Sequence, residues 1–328
     1  MKHKAQNTRK FRMLHVICYM VFVFYLLIPL STARAQIAGE GLTISPPLFE
    51  LNLKEGETSK QTIKITNPTQ NLMEVYPLVM NFKASGEGGE PAFYPATSEE
   101  EKFSLAKWIT FNQTKIALTP EQVVEFNYKI NVPTDAEPGG HYGVVFFATE
   151  PPQLEKDISQ VAIASMVGSL ILGKTPGEII EKGVLEEFIA GRFYFKKPIK
   201  FTTRIKNTGN IHFKPQGEIT IKNWRGKIVD KVAVNSAKGN VLPDSTRKFE
   251  ESWMPQKWYT IGRFKADLKL AYGESSQNLS GHLVFWLIPW WLIAFLAIVV
   301  IAIIFLIIRW WRKRPKKSRM RERKFVLR

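Results

Sequence analysis

The sequence predicts an all-β protein: two immunoglobulin-like β-sandwich domains in series, with an N-terminal signal peptide and one C-terminal transmembrane α-helix. Three observations predict it. From Leu42 to Tyr272, short segments place apolar residues near every second position between Gly, Pro and Asn, which is the period and punctuation of sandwich strands. Residues 290–308 form an uninterrupted apolar run without a charge. The chain's excess of positive charge is confined to its two ends.

Residues 1–35 read as the signal peptide. Met1 to Arg12 is basic, Met13 to Leu30 is apolar, and Ala33-Arg34-Ala35 supplies the small-residue exit, so cleavage is expected before Gln36. An uncleaved first anchor is the alternative. Cys18, the single cysteine, falls in this leader. The exported part then has no disulfide, thiolate metal site or cysteine nucleophile.

The first sandwich is expected over 36–182. Segments 42–53, 56–71 and 72–82 read as strands, and 83–102 (KASGEGGEPAFYPATSEEEK) breaks the pattern as a long loop, either functional or merely mobile. Strand text resumes over 103–133. In 135–152 (DAEPGGHYGVVFFATEPP), Pro138, Gly139 and Gly140 make a tight turn, after which Tyr142, Val144 and Phe146 face one way. Tyr142 fits the corner role in which a tyrosine bonds back to nearby backbone. Gly139, Gly140, His141 and Tyr142, with the loop at 85–101, are the candidate partner-binding positions. The apolar stretch 161–172 is too short to span a bilayer. It reads as a buried closing strand bent at Gly168, in preference to a helix.

The second sandwich is expected over 183–282. KFTTRIKNTGNIHFKPQGEITIKN, from Lys200, echoes KQTIKITNPTQNLMEVYPLVMN, from Lys60: a strand, an Asn-centred turn, then a strand. Trp224-Arg225-Gly226-Lys227 reads as a hairpin turn, 263–273 as the last strand and 273–280 as a polar stem. A membrane-approaching segment and the transmembrane helix occupy 283–308. At 1.5 Å per residue the run from Trp290 to Ile308 is about 29 Å long, close to the bilayer's hydrocarbon thickness of about 30 Å. A buried core helix, the alternative, rarely lacks a polar stripe for this length. Trp286, Trp290 and Trp291 at one end and Trp310 and Trp311 at the other suit the two water interfaces.

The tail, 309–328, holds eleven Lys or Arg against the single acid Glu322. Arg309, Arg312, Lys313, Arg314, Lys316 and Lys317 are expected to keep it cytoplasmic and to meet anionic lipid. The chain is then a single-pass cell-membrane protein with its N-terminal part outside. The formal net charge is +17, but the first 35 residues hold six basic groups and no acid. Without those six and the eleven of the tail, 29 basic groups face 28 acids, a net charge of +1. That balance excludes a nucleic-acid partner for the folded part.

No catalytic, cofactor or metal constellation is legible. His141, His212 and His282 stand far apart, and there is no phosphate-cradling, nucleophile-elbow or dinucleotide motif. Glu186-Glu187 and Glu250-Glu251 are adjacent, so on strands they point to opposite faces. A non-enzymatic surface protein is expected.

SPPLFELNLKEGETSKQTIKITNPT, near the start, and EPGGHYGVVFFATEPP leading to VGSLIL resemble the WxL-interacting protein family of cell-surface proteins. The resemblance covers nearly the whole mature chain and is strongest in the first domain. It implies a peptidoglycan-binding sandwich, a second sandwich that engages host or partner proteins, and a membrane helix with a basic tail. The expected partners are the bilayer and a cell-wall polymer, a surface protein or both. The competing expectation is a membrane-tethered extracytoplasmic chaperone or assembly factor, since open strand edges can accept or donate strands.

Overall fold

A computed structural model describes residues 41–96, 102–151, 166–257 and 259–313. The expected signal peptide and the tail positions Arg314, Lys316 and Lys317 lie outside them. From Leu42 onward the chain is one compact unit, built from two pairs of sheets and a terminal helix.

The first pair uses Thr43–Ser45 (β1), Leu48–Asn52 (β2), Thr58–Thr66 (β3), Met73–Ser85 (β4), Glu90–Pro95 (β5), Ile109–Thr110 (β6), Ile116–Leu118 (β7), Val123–Asn131 (β8), Gly139–Ala148 (β9) and Met166–Thr175 (β10). One sheet has the order β1-β3-β8-β6 and the other β2-β10-β9-β4-β5, with β7 beside β4. Alternation in the sequence becomes burial here. Ile63 and Ile65 of β3 and Phe126, Tyr128 and Ile130 of β8 meet Val145 and Phe147 of β9 and Ile171 of β10 in one core, while Lys64, Glu125 and Lys129 between them face water. Full burial of each large apolar side chain contributes about 1.5–3 kcal/mol relative to exposure.

Strand β9 is buried at every position. Tyr142, Val144 and Phe146 do share one face, where they join Met80, Phe82 and Leu172, and Leu242 of the second pair packs against them. A strand covered on both faces has no polar side, which explains the unbroken run HYGVVFFA.

Three expectations for these strands change. Residues 83–102 are not one long loop: β4 and β5 form a hairpin turned at Gly86 and Gly89, both with positive φ. The Gly-rich, acidic text is the turn, and the Phe82–Phe93 edge contact (6.4 Å between ring centres) shows that the flanks are strands. Gly168 does not bend β10, whose register with β9 is continuous. Its bare Cα is needed because a Cβ would lie 2.5 Å from the Phe146 ring. Within 103–118, a 3-10 turn at Ala106–Trp108 separates strand text from the short β6 and β7.

The second pair uses Gly183–Ala190 (β11), Phe193–Tyr194 (β12), Ile199–Asn207 (β13), Gln216–Asn223 (β14), Ile228–Val234 (β15), Thr246–Trp253 (β16), Gly262–Tyr272 (β17) and Gln277–Leu287 (β18). The sheets run β11-β13-β16 and β12-β18-β17-β14-β15, with Phe201, Trp253, Phe264 and Phe285 at the centre of the core. The 224–227 turn joins β14 to β15 as expected, closed by Asn223 N–H donating to Lys227 O (3.0 Å). The stem expected at 273–280 is instead a turn followed by the start of β18, and this strand continues to Leu287 through the segment expected to approach the membrane. Antiparallel pairing with β17 along all eleven residues of β18 overrides the polar composition of its start.

The repeat is borne out in chemistry. Asn67 Nδ2 donates to the carbonyls of Asn71 (2.8 Å) and Leu118 (3.0 Å), and its Oδ1 accepts from Thr69 N–H. Asn207 Nδ2 donates to Ile211 (2.7 Å) and Val241 (2.9 Å), and its Oδ1 accepts from Gly209 N–H. Each buried amide ties its own turn to a neighbouring segment in the same pattern.

Candidate functional site

The corner from Gly139 to Tyr142 lies inside the molecule. All four residues are buried, and they hold the two sheet pairs together. Gly140 N–H donates to Asn210 O (2.8 Å), and Asn210 Nδ2 donates back to Pro138 O (3.2 Å). Gly139 has φ +126°, and a Cβ there would meet Asn210 O at 2.6 Å. A Cβ on Gly140 would meet the Tyr142 hydroxyl at 2.0 Å. The two glycines therefore serve backbone contact across the junction.

Tyr142 does not bond back to its own corner. Its hydroxyl accepts from His212 N–H (3.1 Å) and lies 3.2 Å from His212 Nδ1. Burial pushes the Tyr142 phenol up and the His212 imidazole down to about 4; nearby Glu50 opposes the His212 shift, while Lys214 and Lys174 reinforce it. His141 points the other way, with Nδ1 3.1 Å from Ser104 O, Nε2 2.9 Å from Glu137 O and its ring over Trp108. Burial lowers its affinity for a proton, against the pull of those two carbonyls.

Ion pairs surround the junction: Lys214 with Glu50 (2.5 Å), Lys174 with Glu274 (2.5 Å) and Lys102 with Asp244 (3.3 Å). Arg204 grips both oxygens of Glu87, at the tip of the β4–β5 hairpin, and holds that carboxyl below the usual carboxylate range. Glu186 and Glu187 both reach Arg204, at 3.6 and 3.7 Å. Their expected opposite orientation fails because a register shift between Leu185 and Glu187 turns both toward one cation. Part of the 85–101 loop, like the 139–142 corner, is thus enclosed or engaged within the chain, and 97–101 lie outside the described residues.

A different feature stays open. β9 pairs with β10 from Met166 to Thr175, whereas β2 pairs with it only from Leu170 to Lys174. Leu170 N–H points outward, to Pro47 O (3.0 Å). By strand alternation the N–H and C=O of Met166 and Gly168 point the same way, and no strand covers them among the described residues. Composition carried no sign of this edge, because pairing depends on how far β2 extends.

No protein-family model matches the chain, and no curated protein matches it. Among solved structures it is similar to the Class 5 fimbriae chaperone CfaA, with 14% identity over 76% of this chain and 100% of that one and a TM-score of 0.36. It is also similar to a structure of the chaperone–tip adhesin complex of CFA/I fimbriae biogenesis (12%, 76% and 99%, TM-score 0.36) and to the E. coli chaperone DraB (12%, 75% and 96%, TM-score 0.31).

Trp290–Lys313 (α1) is long and apolar enough to cross a membrane, and the side chains of its apolar run are not buried in the protein. Trp286 stands near the end of β18, Trp290 and Trp291 open the helix, and Trp310 and Trp311 lie in its last turns with Arg309, Arg312 and Lys313.

Proposed function

We propose that this chain is a membrane-anchored extracytoplasmic binding protein that takes an extended segment of a secreted or surface protein along the edge of β10, as an assembly factor or chaperone would. The observation that supports it is the outward row of backbone groups at Met166 and Gly168. Such an edge gives main-chain hydrogen bonds to an added strand whatever its sequence, and flanking side chains select among strands. The tryptophans at both ends of α1 and the cations at its C-terminal end support anchoring with the sheets outside and the tail in the cytoplasm.

The test places a photo-crosslinking residue at Leu48, exposed beside the open edge, in the full chain in membranes. Adducts with secreted polypeptides are expected, and Met166→Pro should abolish them, because it removes an outward donor and leaves the β9 ladder intact. Sedimentation with purified peptidoglycan, without adducts, would replace this reading with wall binding. Extraction of the chain by carbonate would remove the membrane anchor from it.

A further inference from the structure

We infer that the end of the second sheet pair from which α1 leaves is a lipid-lying surface, seated among the headgroups of the bilayer that α1 crosses. The inference rests on the proposed membrane-spanning role of α1.

The register defines this end. Gly262 of β17 pairs with Leu287 of β18, Asn223 of β14 pairs with Phe264, and Phe193 and Tyr194 of β12 run beside Trp286 and Leu287. The 191–198 turn, the 223–227 hairpin and the loop after Trp253 therefore share one end with the start of α1. The opposite end carries Asn210, His212 and Asp244, which face the first pair.

The exposed Trp, Phe, Tyr and Met side chains of the second pair gather at the helix end. Phe193, Phe195, Trp224, Met254 and Trp286 are 38–67% exposed there. A water-facing surface seldom concentrates such side chains, whereas aromatic rings are favoured at a lipid–water interface. Exposed Arg192, Lys196, Arg225, Lys257 and Arg263 stand among them, with Arg225 over the Trp224 ring (4.5 Å). Aromatic rings with cations between them match a surface of anionic headgroups over hydrocarbon.

Depth is fixed by hydrogen bonds. Ile288 N–H donates to Tyr194 O (2.8 Å) and Trp290 N–H to Phe195 O (3.3 Å). Phe195 is therefore level with the first residue of α1. Any membrane position that buries the apolar run of α1 brings Phe195 to the interface.

The test uses the full chain in phosphatidylcholine vesicles containing some phosphatidylglycerol. In a Cys18→Ser background, single nitroxide labels go at Phe195→Cys and Trp224→Cys, with controls at Ala302→Cys in mid-helix and Lys129→Cys on β8. Accessibility to oxygen, which partitions into lipid, is compared with accessibility to a water-soluble nickel chelate. The 195 and 224 labels should favour oxygen, the 302 label more so, and the 129 label should favour nickel. Omitting phosphatidylglycerol should shift the 195 and 224 labels toward nickel. Nickel-favoured labels at 195 and 224 with a lipid-buried label at 302 would overturn the inference and leave the spanning helix standing. A water-exposed 302 label would overturn both. Spin–spin broadening at 195 that survives dilution in lipid would assign the surface to a second copy of the chain instead.

Discussion

Tyr142 and His212, seventy positions apart, meet at two points: the phenol oxygen accepts the His212 backbone N–H at 3.1 Å and lies in hydrogen-bond reach of Nδ1 at 3.2 Å. Tyr142 is buried at the junction and His212 is partly so. Replacing Tyr142 with Phe takes the partner from the His212 backbone N–H and from Nδ1. The expected cost is about 1–3 kcal/mol, read as a lower urea midpoint for the full chain in detergent. An unchanged midpoint would show that the pair is incidental.

Acid should weaken the same junction. The folded His212 imidazole titrates near 4, below its ordinary 6.5. Above pH 6.5 both states hold it neutral and its contribution is intact. As pH falls from 6.5 toward 4 the unfolded chain takes the proton first, so stability is lost by roughly 3 kcal/mol across that window. His212→Gln should flatten that part of the pH–stability curve, and a curve that keeps its slope would place the titration elsewhere.

The two turn asparagines should behave alike. Asn207→Ala leaves two backbone carbonyls and one N–H without their amide partner, and Asn67→Ala leaves the matching groups together with Thr119 O and the Thr69 hydroxyl, at about 1–3 kcal/mol for each variant. Denaturant titrations of the two variants check this. A large loss in one with none in the other would show that the shared pattern is only geometric.

Arg204→Met should release the β4–β5 hairpin. Glu87 loses the guanidinium that holds its carboxylate, while its carbonyl still accepts from Lys248 N–H (2.8 Å). Faster hydrogen exchange at the Lys248 amide is expected, with exchange in β8 unchanged. Equal protection in both proteins would mean that the backbone bond suffices.

The strands were legible wherever one face is wet. Ile63, Ile65, Phe126 and Ile130 alternate with polar residues because water covers every second side chain, and the Asn67 and Asn207 turns repeat because one bonding pattern closes both. Three features were hidden for separate physical reasons. The β4–β5 hairpin is written in glycine and glutamate because its turn requires positive φ at Gly86 and Gly89. The start of β18 is polar because its ladder to β17 holds it. The Gly139–Tyr142 corner was visible as special, but its purpose depends on Asn210 and His212, whose approach no local pattern encodes.

Only Ile288 and Pro289 lie between the last strand and the helix, and Ile288 is itself bonded to Tyr194. There is no slack at this hinge. A spanning helix leans more in a thin bilayer and less in a thick one, and with α1 spanning as proposed, its lean passes directly into the sheets and on to the far edge of β10. On that proposal the lipid sets the compass heading of the sheets as well as their address.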